Sequence, residues 1–413
     1  MDILNIVTLL TVLAAIFGYL NARFLKLPDT IGLMVIAIVF STVTIMVGSF
    51  FPGIIEFEKD LVAQIDFKEV LLDGFLSILL FAGALHTDLD SLKAMRGPIV
   101  MFATLGVLVS TFLVGSMMFA GFQLVGLDVP FIHCLLFGAL ISPTDPIAVL
   151  SILKRAGVSK VLETKIVGES LFNDGIGVVI FLTIFSLAHV GSGEVNSTDI
   201  ALFFFEEVGG GVLLGFGFGY LAYWLMKSID NYQIEVLITL AIVLGGYRLA
   251  NYLHFSGPLA MVVAGLMIGH ERFRSGGMSG ITEAYVDKFW ELLDLLFNAI
   301  LFVLIGLELI IISFDGQYLL AGILAIPIVL LARYMALFFP IRIFKKRLGL
   351  APQTGIIMTW GGLRGGISIA LALSLTSTMS RELLITVCYV VVVFSIVVQG
   401  LTVERLAKKY RGL

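Results

Sequence analysis

The chain has 413 residues, of which 59% are hydrophobic and 14% charged, and its mean hydropathy is +1.05. This composition lies far outside the range of soluble domains and makes the bilayer the solvent for most of the sequence. The net charge of −4 comes with no soluble basic domain that could hold nucleic acid.

Apolar stretches of about 20 residues, enough to cross roughly 30 Å of hydrocarbon as helix, are predicted near 3–24, 31–50, 70–86, 99–121, 131–153, 166–190, 201–226, 234–252, 257–270, 290–312, 318–340, 354–376 and 383–402. The expectation is an all-α polytopic protein with thirteen transmembrane helices in one membrane unit, 1–413. Asp2 and the lack of a basic or small-residue cleavage signature mark the first stretch as a retained helix and not a removable signal. Cys134 and Cys388 both fall inside spans and suggest no disulfide or metal framework. Of the 26 lysines and arginines, twenty lie on the side of the odd-to-even connections and the tail. Only Lys59, Lys68 and Arg381 lie opposite, and Arg248, Arg333 and Arg364 fall within spans. The positive-inside rule therefore predicts a plasma (inner) membrane protein with its N-terminus outside and a short cytoplasmic tail, 403–413, too small for a large regulatory domain.

In the fifth span, "ISPTDPIAVL" (141–150) places a carboxylate between two prolines. Pro143 and Pro146 lack an N–H and push their preceding residues out of helical geometry, so the carbonyls of Ala139 and Ser142 lose their helical partners. Such groups persist at membrane depth only where protein, water or an ion satisfies them. Asp145 before Pro146 fits an N-cap on a second half-helix. Thr144 and Asp145 also fit oxygen ligands at a break, and buried carboxylates at this depth are usually functional.

The sixth span carries "GESLFNDG" (168–175). Ser170 and Asp174 share one helical stripe, Glu169 and Asn173 the neighbouring one, and Glu169 points about 140° away from Asp174. Asp174 with Ser170 can face Asp145 and offer hard oxygens suited to a small alkali cation. Glu169 needs a cation of its own, for which Arg364 is the first candidate and Arg333 the second, as a structural ion pair.

Farther along, Asp73, Glu206 and Glu207 fall near the outer surface, where a solvated or mouth-lining role is expected. The glycines at 209–211, 215, 217 and 219 are expected to serve close helix packing. Glu291 and Asp294 suggest either an acidic funnel or an ordinary helix start. His133 reads as a packed or hydrogen-bonded histidine, with His86, His189, His254 and His270 at loop edges. "GGLRGG" (361–366) breaks the twelfth span, which enters from the side opposite to the fifth. Interrupted helices at corresponding places in two halves point to an inverted-repeat transporter.

Two carboxylates also suit an intramembrane aspartyl protease, but Asp174 follows "LFN" and not a Gly-x-Gly stretch. A cation channel needs a continuous pore, which one midplane site does not provide. The chain is accordingly read as a transporter and not an enzyme.

"SPTDPIAVL", "GESLFNDGIGVV", "WGGLRGGISIALAL", "HFSGPLAMVVAGLMIG" and "LLFAGALHTDL" closely resemble the sodium/proton antiporters of the cation/proton antiporter superfamily, CPA1, NhaP type. The resemblance implies inverted six-helix repeats, a homodimer, and a core with two crossed, partly unwound helices. It maps ion ligands onto Asp145, Asp174, Ser170 and the Thr144 carbonyl, with Asn173 in an Asn-Asp motif. It also maps a structural ion pair onto Glu169 and Arg364. The third-span acidic ligand of some relatives has no counterpart here, where Ala82 stands. The core is expected over about 99–190 and 318–402, and a dimer scaffold over about 3–86 and 201–312.

Two carboxylates in a partly desolvated cavity resist being ionised and empty together, so a proton or a Na⁺ neutralises the site in competition. The expected activity is exchange of Na⁺ or Li⁺ for H⁺ by alternating access. No cofactor and no partner beyond the bilayer, a second copy and the transported ions are expected. Electrogenic relatives carry a carboxylate where Asn173 stands, so one-for-one electroneutral exchange is expected. A K⁺-accepting antiporter of the same fold is the alternative, since ligand type does not fix cavity size.

Overall fold

A computed structural model describes residues 3–48, 74–87, 89, 92, 96–145, 160–190, 197–307, 309, 315–348 and 353–409, and the described regular elements are all helical. In chain order they are α1 (Ile3–Leu20, extended by a π-helical turn Asn21–Leu25), α2 (Asp29–Gly48), α3 (Leu76–Leu85), α4 (Gly97–Val125), α5 (Phe131–Ile141), α6 (Lys160–Val190), α7 (Ser197–Lys227) and α8 (Tyr232–Tyr252). There follow α9 (Gly257–Ile268), the short α10 (Glu271–Gly277), α11 (Gly280–Leu307), α12 (Gly316–Leu348), α13 (Thr354–Trp360), α14 (Gly366–Leu373) and α15 (Arg381–Lys409). Among the described residues, nine helices are long and apolar enough to cross a membrane. With the shorter α3, α5 and α9 and the interrupted pair α13–α14, every predicted span has its helix.

Local chemistry sets several ends. Asn231 caps α8 by accepting from the N–H groups of Gln233 and Ile234, while Glu235 accepts from the Asn231 N–H. Ser256 caps α9 ahead of Pro258, and Gly126 ends α4 with φ +81°, a conformation that glycine adopts without strain. The helix of α15 runs on through Lys409 with Val403 and Ala407 buried, so the predicted tail begins as helix.

Two packing groups emerge. In one, α4 packs on α5 and α12, α6 on α5, and α15 on α12 and α14. In the other, α9 sits between α3, α7 and α8, while α11 packs against α2 and α3. Gly211 and Gly215 let α7 approach α9 closely, since a Cβ at either would lie 2.6 Å from a carbonyl oxygen of Ser256 or Ala260; Gly209 and Gly217 face open space. Trp290 is fully buried in the second group and donates to Thr239 at 2.9 Å. Exposed Phe205, Leu213, Phe216 and Trp224 give α7 an apolar outer face.

Candidate functional site

The helix of α5 stops at Ile141, and Ser142 to Asp145 run on without helical pairing. Opposite, Gly361 to Gly365 separate α13 from α14. The two breaks cross. The Asp145 N–H donates to the Leu363 carbonyl at 2.7 Å, and Gly365 lies so near Asp145 that a Cβ there would collide with its carboxylate. Gly177 of α6 leaves room for the Pro143 ring in the same way. These close approaches require glycine for space.

Protein groups satisfy the Ser142 carbonyl and its neighbours at the break. Arg364, buried, donates through Nη1 to the carbonyls of Ser142 and, at 2.8 Å, Pro143, and its own N–H donates to Ser395 Oγ at 2.9 Å. A guanidinium at the C-terminal end of α5 also complements the negative end of that helix dipole. Thr144 is held from α6: its N–H donates to Asn173 Oδ1 at 3.2 Å, Asn173 Nδ2 donates to Thr144 Oγ1 at 2.8 Å, and Ser170 Oγ lies 2.9 Å from the same hydroxyl.

The structure therefore brings Thr144, Asp145, Ser170, Asn173 and Asp174 together. Asp145 and Asp174 line one cavity with room for about 50 Å³ of water-sized occupants. Its opposite wall is Leu76, Leu79, Leu80 and Gly83 of α3 with Asn298 and Leu301 of α11. Thr144, Ser170 and Asn173 form a buried hydrogen-bonded cluster close in sequence to the two carboxylates and outside the cavity lining. The N-cap expected of Asp145 would involve residues from 146 on, which lie outside the described residues.

One expected pairing is redrawn. Glu169 forms its ion pair with Arg333, Oε1 to Nη1 at 2.6 Å with both side chains buried, and Arg364 instead serves the carbonyls of the break. Arg364 remains within electrostatic reach of Glu169 and Asp174. The reason is geometric: Arg364 sits on the interruption itself, whereas Arg333 projects from α12 beside it.

A profile described as "Sodium/hydrogen exchanger, transmembrane" matches residues 11–409. The chain belongs to the sodium/hydrogen exchanger family. This exchanger is 46% identical to the Na(+)/H(+) antiporter NhaP of Pseudomonas aeruginosa over 99% of its own length and 97% of that protein's. It is 35% identical to the Na(+)/H(+) antiporter NhaH of Halobacillus aidingensis over 94% and 93% of the two chains. Its fold matches that of the sodium proton antiporter MjNhaP1 from Methanocaldococcus jannaschii with a TM-score of 0.79, at 21% identity and with full coverage of both chains. The exchanger is a multi-pass membrane protein.

Other residues of the exchanger either keep or depart from their expected settings. Glu206 is exposed, but Glu207 is only 7% exposed on the face of α7 that meets α9, where its carbonyl accepts from the Ser256 N–H. Glu291 is exposed and paired with Lys288 at 2.8 Å, whereas Asp294 is half-buried within electrostatic reach of Asp145 and His86. His133 Nδ1 lies 3.1 Å from Ser380 Oγ, consistent with a hydrogen-bonded role. Asp73 lies outside the described residues. Asn298, on the cavity wall, is a site residue that sequence reasoning missed; its signal is a lone amide within the apolar run "LLDLLFNAILFVL".

Proposed function

We propose that this chain is a secondary antiporter exchanging Na⁺ or Li⁺ for H⁺, with Asp145 and Asp174 as the shared site for cation and proton. The observation that carries the reading is the convergence of these two carboxylates, from two crossed breaks and the neighbouring helix, on one small cavity. Thr144 and Ser170 are the further oxygen ligands, and Asn173 fixes the backbone of Thr144. The kinship with proteins named Na⁺/H⁺ antiporters supports the choice of ions.

The charge of the site sets the stoichiometry. Glu169 is matched by Arg333 and Asp174 lies within reach of Arg364, while Asp294 accepts from the Asn298 amide and lies outside the cavity lining, so the Asp145–Asp174 pair is assigned one charge for the transported ion to neutralise. A single monovalent cation, whether Na⁺ or H⁺, neutralises that charge, and two together would leave an uncompensated positive charge at membrane depth. Exchange is thus one-for-one and electroneutral. The packing group of α4–α6 and α12–α15 moves against the scaffold of α1–α3 and α7–α11 when neutral, carrying one species each way. The scaffold forms a homodimer, and the chain sits in the plasma (inner) membrane with its C-terminus cytoplasmic, as its lysines and arginines favour.

Vesicles holding the protein and a pH-sensitive dye test this reading. Na⁺ and Li⁺ should each dissipate an imposed proton gradient, and Asp174→Asn should abolish both responses while leaving the protein folded. A response to K⁺ alone would move the reading to a K⁺/H⁺ antiporter, and wild-type exchange in Asp174→Asn would overturn the site.

A further inference from the structure

The wall facing Asp145 and Asp174 is almost wholly apolar. From α3 it takes Leu76, Leu79, Leu80 and Gly83, so that helix presents no side-chain oxygen to the cavity. Ala82 is fully buried and packs on the other side, in the cluster around Phe81 and Trp290. Besides the two carboxylates, the polar side chains lining the cavity are Ser368 of α14, on the same side as the breaks, and, from α11, Asn298, only 4% exposed. Its Nδ2 donates to both the backbone carbonyl and the Oδ1 of Asp294, at 2.9 and 3.0 Å. Two acceptors on that side fix the amide orientation, because only the NH₂ can satisfy them. The carbonyl Oδ1 is consequently turned the other way, and among the described residues no donor reaches it.

We propose that Asn298 is a neutral oxygen ligand to the transported cation, reaching it from the scaffold side, and that Asp294 is the positioning residue that aims it. This rests on the exchange reading above and adds a contact to it. An amide suits the place better than a carboxylate would. It is a hard oxygen donor for an alkali cation, and it leaves the single negative charge of the site unchanged. Because α11 belongs to the packing group opposite the two breaks, this contact exists only when the two groups are apposed as here. Asn298 therefore tunes cation affinity on the side of the membrane to which this arrangement opens.

Asn298→Leu keeps the branched shape and removes the oxygen; Asn298→Ala removes both. In proteoliposomes, either folded variant should raise the KM for Na⁺ by roughly tenfold to a hundredfold, the range for one charge-assisted contact, with the maximal rate retained. The Li⁺ to Na⁺ preference should change as well, which a purely structural residue would not alter. Asp294→Ala should raise the KM less, because the backbone carbonyl at 294 still holds the Asn298 amide. Wild-type KM and ion preference in the folded Asn298 variants would overturn the proposal. Asp174→Asn measured alongside separates the outcomes: if that variant is inactive while the Asn298 variants behave as wild type, the exchange reading stands and this ligand falls.

Discussion

Glu169 and Arg333 bury opposite charges 2.6 Å apart at 1% and 3% side-chain exposure, so there is no solvent screening to discount. Arg333→Met leaves the carboxylate of Glu169 buried without its partner, a loss of about 3–5 kcal/mol in folding stability. Glu169→Leu should cost a similar amount, because the guanidinium is then stranded. Replacing both with apolar side chains should return most of the loss, since a well-packed hydrophobic pair is often as stable as a buried ion pair. With two single losses of that size and most of the loss returned in the double variant, the coupling from this double-mutant cycle should be about 5 kcal/mol or more, above the usual range for residues in contact. The corresponding cycle between Glu169 and Arg364 should give less than about 1 kcal/mol, because Arg364 spends its hydrogen bonds on the Ser142 and Pro143 carbonyls. Unfolding in mixed micelles, followed by the fluorescence of the buried Trp290 and the other tryptophans, provides the measurement. A Glu169–Arg364 coupling larger than the Glu169–Arg333 coupling would refute the pairing.

Gly365→Ala places a methyl group against the Asp145 carboxylate and should slow exchange on the order of 100-fold, the cost of displacing a reacting group by about 1 Å; Gly217→Ala, which faces open space, should exchange at the wild-type rate. Asn173→Asp adds a second negative charge to the site, and the end-point Na⁺ gradient in vesicles clamped with K⁺ and valinomycin should then shift with voltage, whereas that of the wild type should not. Cys134 and Cys388 are buried, so single cysteines introduced at exposed positions report sidedness cleanly: Asp128→Cys should react with an impermeant maleimide from outside and Lys408→Cys only from the cytoplasm, and the reverse would invert the topology.

Much of the architecture is legible in the residues themselves. Apolar length alone locates the spans, because the bilayer demands uninterrupted helix. Pro143, Pro146 and the glycines at 361–366 mark the interruptions for the same reason. The helical stripe that joins Ser170 to Asp174 places oxygens toward the fifth span, and the structure brings both to it or to the cavity. What spacing could not decide is which cation meets Glu169, since Arg333 and Arg364 both lie at membrane depth and only tertiary packing ranks them. Nor could it show that position 82 faces away from the cavity while 79, 80 and 83 face it. Asn298 escaped notice because one amide in an apolar helix carries no pattern, and its meaning comes from helices distant in sequence. Glu207 looked like a rim carboxylate by depth, but the face of α7 it occupies is covered by α9.

The central claim is that one Na⁺ and one proton compete for the single negative charge shared by Asp145 and Asp174. Calorimetric titration of the purified protein with Na⁺, repeated in buffers of different ionisation enthalpy, counts the protons released per ion bound. The account predicts close to one proton released per Na⁺ where the empty site is protonated, falling toward none as pH rises and the site empties of protons, and no Na⁺ binding in Asp174→Asn. Na⁺ binding that releases no proton at any pH, or that persists in Asp174→Asn, would contradict it.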